Sequence, residues 1–222
     1  MFTTGPTFFA TSNLCAGFFE DGTGNYTFSL TNTAVKETGI KFLGSSSLKP
    51  NGNTLAYYAD STNNSPFNGA RLNLGTADFT LEAAYYPTVN SGLRNIFSLN
   101  SAGTTQIMTL GHMSDGTLRF NCYGGAGLDF TSSPTTMRLN EWNWVGIRRS
   151  GTTWTLTVNG VSSSVTSSQS LATVPGVIAI GHNNLGYIDH VRLSNIARGM
   201  SDPGSFYPVD ANTLLICEFD DC

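Results

Sequence analysis

Glu141-Trp-Asn-Trp-Val-Gly-Ile-Arg-Arg149, Ser150-Gly151 and Thr152-Thr-Trp-Thr-Leu-Thr-Val-Asn-Gly160 decide the fold. In the first arm Trp142, Trp144 and Gly146 alternate with Asn143, Val145 and Ile147. In the second, Trp154, Leu156 and Val158 alternate with Thr153, Thr155 and Thr157. Successive side chains of a strand point to opposite faces, so this period of two marks strands, and Ser150-Gly151 is a turn between them. Asn159-Gly160 turns the chain again, since both residues tolerate the positive φ of a tight hairpin. A meander of three strands is expected, at the centre of a sheet. Its tryptophans are expected in the core because an indole buries so much area.

Working outward, Asp78-Phe-Thr-Leu-Glu-Ala-Ala-Tyr-Tyr-Pro87 sets Phe79, Leu81, Ala83 and Tyr85 against Thr80, Glu82, Ala84 and Tyr86. Pro87 ends that strand because it has no donor for the ladder. Further strands are read at 14–19, 25–30, 55–59, 95–99, 106–110, 117–123, 128–130, 177–180 and 212–219, with a strand pair or bulged strand over 39–48 and a signature at 187–198. Residues 1–13 read as an N-terminal arm and 14–222 as one domain. The Ser, Asn and Pro of 60–69 form a long loop and a candidate contact surface. Hydrophobic residues make up 40% of the 222, charged residues only 12%, and 24 are glycine, which suits short strands and polar turns. No run holds a helical apolar period, so the chain is all-β.

Net charge is −4 with 11 Lys and Arg, which excludes the basic patch that nucleic acid requires. No apolar run is long enough to cross a bilayer. The N-terminus lacks the basic and apolar regions of a signal peptide, so use without secretion is expected. Cys15, Cys122, Cys217 and Cys222 have neither CxxC spacing nor a neighbouring His pair, which argues against zinc. Cys122 shares a strand face with Leu118 and Phe120 and reads as a buried, inert thiol. Cys15 and Cys217 could lie close if the terminal strands pair, but free thiols are the expectation.

The order of several short signatures resembles a known family. They are Gly44-Ser-Ser-Ser-Leu48, Asp78-Phe-Thr-Leu-Glu82, Trp142 opening a strand, Val158-Asn-Gly160, Ile180-Gly181, Ile188-Asp189 with Val191-Arg192, and Ala197-Arg198. Over residues 14–220 this succession resembles the laminin G-like, concanavalin A-like jelly rolls. The resemblance implies two packed antiparallel sheets of six or seven strands each, one of them concave. His190 stands where the family usually has an acidic residue, and no calcium-binding acidic loop is present. His182, Asp189 and His190 are the clustered potential ligands, and the histidines read as neutral surface or hydrogen-bonded groups, without a metal or other cofactor.

Catalysis is not expected. Glucanases of this fold carry Glu-x-Asp-x-x-Glu, and the paired carboxylates of glycoside hydrolysis need both partners. Glu218-Phe219-Asp220 supplies only the first half, Glu82 is alone on its strand, and no Gly-x-Ser-x-Gly or His-Glu-x-x-His occurs. Two roles follow from the resemblance. The first is a virion structural protein of a tailed phage, made in the host cytoplasm: a capsid decoration or tail-associated protein, with capsid or tail subunits, or further copies in a symmetric oligomer, as partners. Phe8 and Phe9 of the arm would anchor it. The alternative is a lectin-like module or adhesin that recognises surface glycans, with Tyr57, Tyr58, Tyr123 and Asn183 as contact residues.

Overall fold

The structure is a computed structural model that describes residues 18–20, 27–30, 34–52, 57–59, 74–101, 106–123, 127–132, 137–171, 176–200, 204–205 and 208–220. Sixteen strands, numbered in chain order, and no helix are found among them. A front sheet runs, in spatial order, β1 (Phe18–Glu20), β2 (Thr27–Leu30), β5 (Tyr57–Ala59), β14 (Gly176–Ile180), β7 (Arg94–Ser101), β8 (Gln106–His112), β9 (Leu118–Cys122), β10 (Leu128–Thr131). A back sheet runs β13 (Val161–Thr166), β12 (Thr153–Val158), β11 (Asn143–Ser150), β6 (Phe79–Tyr86), β15 (Tyr187–Ser194), β4 (Ser47–Lys49), β3 (Val35–Glu37), and β16 (Thr213–Cys217) also pairs with β15. The pairings are antiparallel, as a jelly-roll sandwich requires. Each sheet has eight strands where six or seven were expected.

The core fills the space between the sheets. Phe79, Leu81 and Tyr85 of β6, Val145 and Ile147 of β11, and Trp154, Leu156 and Val158 of β12 face Phe97, Leu110, Phe120, Ile178 and Ile180 from the front. Trp154 bridges the two layers: its ring lies 5.7 Å from Phe79 and 5.5 Å from Phe120, and its indole N–H donates to the Ser167 carbonyl. Fully burying each such side chain contributes about 1.5–3 kcal/mol. Cys122 is buried among them, and burial pushes its thiol up to about 11, so it is inert at neutral pH. Cys217 is buried in the same core, whereas Cys15 and Cys222 lie outside the described residues.

Three expectations need correction. The meander β11–β12–β13 does not sit at a sheet centre, because β13 is the edge strand of the back sheet. Val-Ser-Ser-Ser-Val-Thr has too little apolar surface to be covered on either face, and four of its six residues are exposed. Nor are all the tryptophans in the main core. Trp144 points out of the back sheet into a second apolar cluster with Ala84 and Ile216, roofed by Phe42, Trp142 and Val209. The 39–48 stretch is also not a strand pair: only Ser47–Lys49 is strand, and the preceding loop folds over the back face.

Four register shifts interrupt the described pairings, one of them between Leu193 and Ser194 against β16. A shift between Asn95 and Phe97 turns both Ile96 and Phe97 into the core. A second, between Leu99 and Asn100, does the same for Ile107 and Met108. In β15 a shift between Asp189 and Arg192 carries His190 at a φ of 49°. An extra residue in one strand restores the in–out parity beyond it, which is how a bulge re-aims side chains.

Candidate functional site

Two neighbouring register rows cross the front sheet. One reads Leu30, Tyr57, Ile180, Phe97, Leu110, Phe120, Phe130, and is the apolar row over the core. The next reads Ser29, Tyr58, Ala179, Ser98, Thr109, Asn121, Asp129. The pleat turns adjacent rows to opposite faces, so the second row belongs to the face away from the core. Asn95 and Asn100 on β7, Gln106 on β8 and Arg119 on β9 share that face by the same register.

This outer face is polar, yet its centre is shielded from solvent: Ser98, Thr109, Asn95 and Asn121 are all buried. Among the described residues, Asn95 Oδ1, Ser98 Oγ, Asn100 Oδ1 and Thr109 Oγ1 are buried oxygens with no hydrogen-bond partner. Each such atom costs about 1–3 kcal/mol relative to a satisfied one, and native folds leave few of them. Four of them fall on this face, each closed off from solvent.

Toward β10 the face opens to solvent. Arg119 donates through Nε to Asp129 Oδ1 at 2.8 Å and through Nη2 to Asp129 Oδ2. The two side chains are 26% and 55% exposed. The hydrogen bonds from Arg119 hold the Asp129 carboxyl below its usual value. The same bond, burial, the charge of Asp129 and finally Tyr123 set the Arg119 guanidinium, which is raised overall. Tyr123 follows β9 with its N–H donating to the Ile107 carbonyl at 2.8 Å, so it keeps the parity of Asn121 and Arg119. It is 50% exposed, the one large aromatic ring so exposed among the described residues.

Of the residues singled out in the sequence, Tyr123 therefore lies on this face. Tyr57 and Tyr58 lie on β5, in register with Ile180 and Ala179 of β14. Asn183 sits elsewhere, at a φ of 53° in the 181–186 loop, where its carbonyl accepts the Arg94 guanidinium at 2.8 Å. That loop is tied to Asn95, whose N–H donates to the His182 carbonyl. From there the register passes through Gly111 to Arg119, four residues and about 13 Å from Tyr123. Phe8 and Phe9, with the rest of the arm, lie outside the described residues, as does the 60–69 loop. Sequence reading missed Ser98, Thr109 and Asn121, because small polar residues alternating in a strand look like any solvated face.

The other clustered groups serve the fold. Glu82, fully buried, accepts Arg192 Nε at 3.1 Å and Nη2 at 2.5 Å. Asp189, also buried, accepts the N–H groups of Phe42 at 3.0 Å and His190 at 2.8 Å, and burial raises its carboxyl overall. His182 is instead beside Asn95, and burial lowers its imidazole. Asp189 and His190 therefore do not converge with His182, and among the described residues no three His, Cys, Asp or Glu side chains gather to hold a metal.

The chain belongs to the concanavalin A-like lectin/glucanase superfamily, whose laminin G-type profile matches residues 58–202. Among solved structures it is similar to the Trypanosoma rangeli sialidase, at 15% identity and a TM-score of 0.57, over 85% of this chain and 30% of that one. It is also similar to the CBM40 of the Ruminococcus gnavus IT-sialidase bound to α2,3-sialyllactose, at 13% identity and a TM-score of 0.51, over 74% of this chain and 93% of that one. The chain thus spans less than a third of the sialidase, and at these identities the likeness is one of fold. No curated protein sequence matches it.

Proposed function

We propose that the protein is a non-catalytic carbohydrate-binding module whose ligand lies on the outer face of the front sheet, over β8, β9 and β10. The observation that carries this reading is the exposed ring of Tyr123 on the same polar face as the solvent-open Arg119–Asp129 pair. Sugars present an apolar face to an aromatic ring and hydroxyls to amides and alcohols, which is the combination assembled here. The similar CBM40 fold, which holds sialyllactose, supports the class of ligand. The non-catalytic part of the proposal is supported by the engagement of nearby and buried carboxylates: Asp129 with Arg119, and Glu82 with Arg192. The virion role expected from the resemblance finds no specific support in the described residues, and its anchors Phe8 and Phe9 lie outside them.

Glycan-array screening followed by titration calorimetry tests the proposal. Tyr123→Ala is expected to lower affinity about tenfold, equal to about 1.4 kcal/mol, with the melting temperature unchanged because the ring is exposed. Equal affinity of the two proteins for every bound glycan would remove Tyr123 from the site, and failure to bind any glycan would end the reading.

A further inference from the structure

We propose that β13 pairs with β13 of a second copy of this chain, joining two back sheets edge to edge about a two-fold axis.

The sheet edges are not alike. An edge strand is a template for further pairing, and proteins block it with charge, proline, a bulge or a short span. Of the strands that end the two sheet orders, β3 carries Lys36 and Glu37, β1 carries Glu20 and β10 carries Asp129. β1 and β3 have three residues and β10 has four. β13 has six, Val161-Ser-Ser-Ser-Val-Thr166, without charge or proline, and it follows β12 with no register shift. Hydroxyl pairs hold it flat: Thr155 Oγ1 and Ser164 Oγ lie 2.9 Å apart, Thr157 Oγ1 and Ser162 Oγ 2.8 Å. Among the described residues no strand lies beyond it. A two-fold axis sets an edge against its own copy, so the acids of β1 or β10 would be brought together, whereas β13 brings no charge.

Register points to the same partner. The Ser167 N–H donates to the Thr152 carbonyl, and the pairing with β12 keeps this parity back to Val161. The backbone groups of Val161, Ser163 and Val165 therefore point to β12, and those of Ser162, Ser164 and Thr166 point out of the sheet. Val161, Ser163 and Val165 stand opposite Val158, Leu156 and Trp154, so their side chains share the core-side face. Val165 packs against the core, but Val161 is 51% exposed. Pairing centred on Ser163 lets Ser162 of each copy exchange N–H and carbonyl bonds with Ser164 of the other. It also sets Val161 of each copy against Val165 of the other, in the closer, non-hydrogen-bonded kind of pair. One register thus satisfies the outward backbone groups and covers the exposed valine. The axis stands normal to the sheet, so both copies turn the Tyr123 face the same way and leave it open.

Sedimentation velocity of the full chain between about 1 and 100 μM is expected to show a monomer passing to a dimer. Ser164→Pro removes an outward N–H that β12 does not use, as an edge strand tolerates. Val161→Lys sets a charge against Val165 of the other copy. Each is expected to raise the dimer dissociation constant about tenfold or more, with the melting temperature little changed. Under mild oxidation Ser163→Cys is expected to link to its own copy, because opposed residues of a non-hydrogen-bonded pair lie within disulfide reach. Ser162→Cys, which faces Ser164, is not; mass spectrometry of the digest identifies the link. A monomer at every concentration, with no such link, would overturn the proposal. A dimer of unchanged strength in the folded variants would overturn it too, by placing the interface elsewhere. If Ser164→Pro unfolds, Val161→Lys decides alone, since its side chain is already exposed in the monomer.

Discussion

The two sheets turn very different outer faces to their surroundings. On the back, Trp144, Ala84 and Ile216 are roofed by Phe42, which stacks on Trp144 with ring centroids 6.1 Å apart. The charges beneath are answered from within the chain: Arg192 meets Glu82, and the backbone of 42–43 meets Asp189. The 195–200 segment returns over the same face, where Thr80 Oγ1 donates to the Ile196 carbonyl and accepts the Arg198 N–H. On the front, by contrast, four buried oxygens on β7 and β8 have no partner among the described residues. A buried polar group whose partner is in the chain stabilises the fold, and one whose partner is missing costs stability. The back face is covered from within the chain, and the front face is the one proposed to bind.

The contrast can be broken at the back first. Arg192→Ala strands Glu82 in a fully buried position and is expected to cost about 3–5 kcal/mol in denaturant unfolding. Replacing both partners by Met is expected to recover most of that loss, since well-packed apolar side chains substitute for a buried ion pair. Equal destabilisation by the single and double variants would mean that the pair is only packing.

Acid separates the faces next. Burial depresses the His112 imidazole from 6.5 to about 4. As pH falls the unfolded chain therefore takes up this proton before the folded one does. The contribution is intact above 6.5, is lost through the interval down to about 4, and is constant below it. A gap of that size is on the order of 3 kcal/mol. Asp189 on the back has the opposite sign: burial raises its carboxyl, so the folded chain takes the proton first and acid relieves the cost of burial. Unfolding free energies at pH 7.5 and 4.5 are expected to differ less in His112→Asn than in the wild type. An identical slope in both would place the acid sensitivity on other groups.

The smallest effect is the sharpest. Thr109→Val removes a partnerless hydroxyl without changing side-chain shape, and is expected to raise stability by about 1 kcal/mol. A loss of stability would show that Thr109 is structural and that the faces are more alike than their hydrogen bonds imply.

Much of the architecture was legible beforehand because strand alternation is written directly into the residues. Phe79 to Tyr85 and Trp154 to Val158 face the core as period two demands. What alternation cannot show is a bulge. Read with strict parity, Arg94-Asn-Ile-Phe-Ser-Leu-Asn puts Ile96 with Ser98 and Asn95 with Phe97. The bulge instead sends Ile96, Phe97 and Leu99 inward together. Asn95, Ser98 and Asn100 thereby share one face, and that face is the candidate site. Tyr123 could be picked out as an aromatic beside a glycine-rich loop. Ser98 and Thr109 could not, because what distinguishes them is burial without a partner, which shows only once the strands are packed. The outward turn of Trp144 was hidden for the same reason: its cover, Phe42, lies about a hundred residues earlier in the chain.

The clasp at Asp220 has a bearing on how the protein comes into being. Its carboxylate accepts the Ser45 N–H at 2.5 Å across 175 residues of chain, and Gly44, at a φ of 67°, leaves room for it where any side chain would collide. Phe42 and Leu48 thus emerge early from the ribosome and wait for β15, β16 and Asp220, which are made near the end of the described chain. Until those residues arrive the aromatic patch of the back face stays uncovered and the edge of β4 stays open. Contacts this distant in sequence form slowly, and the waiting intermediate carries the surfaces that drive aggregation. Nascent chains halted before residue 187 should therefore be held by chaperones, and their release should coincide with synthesis of the final strand.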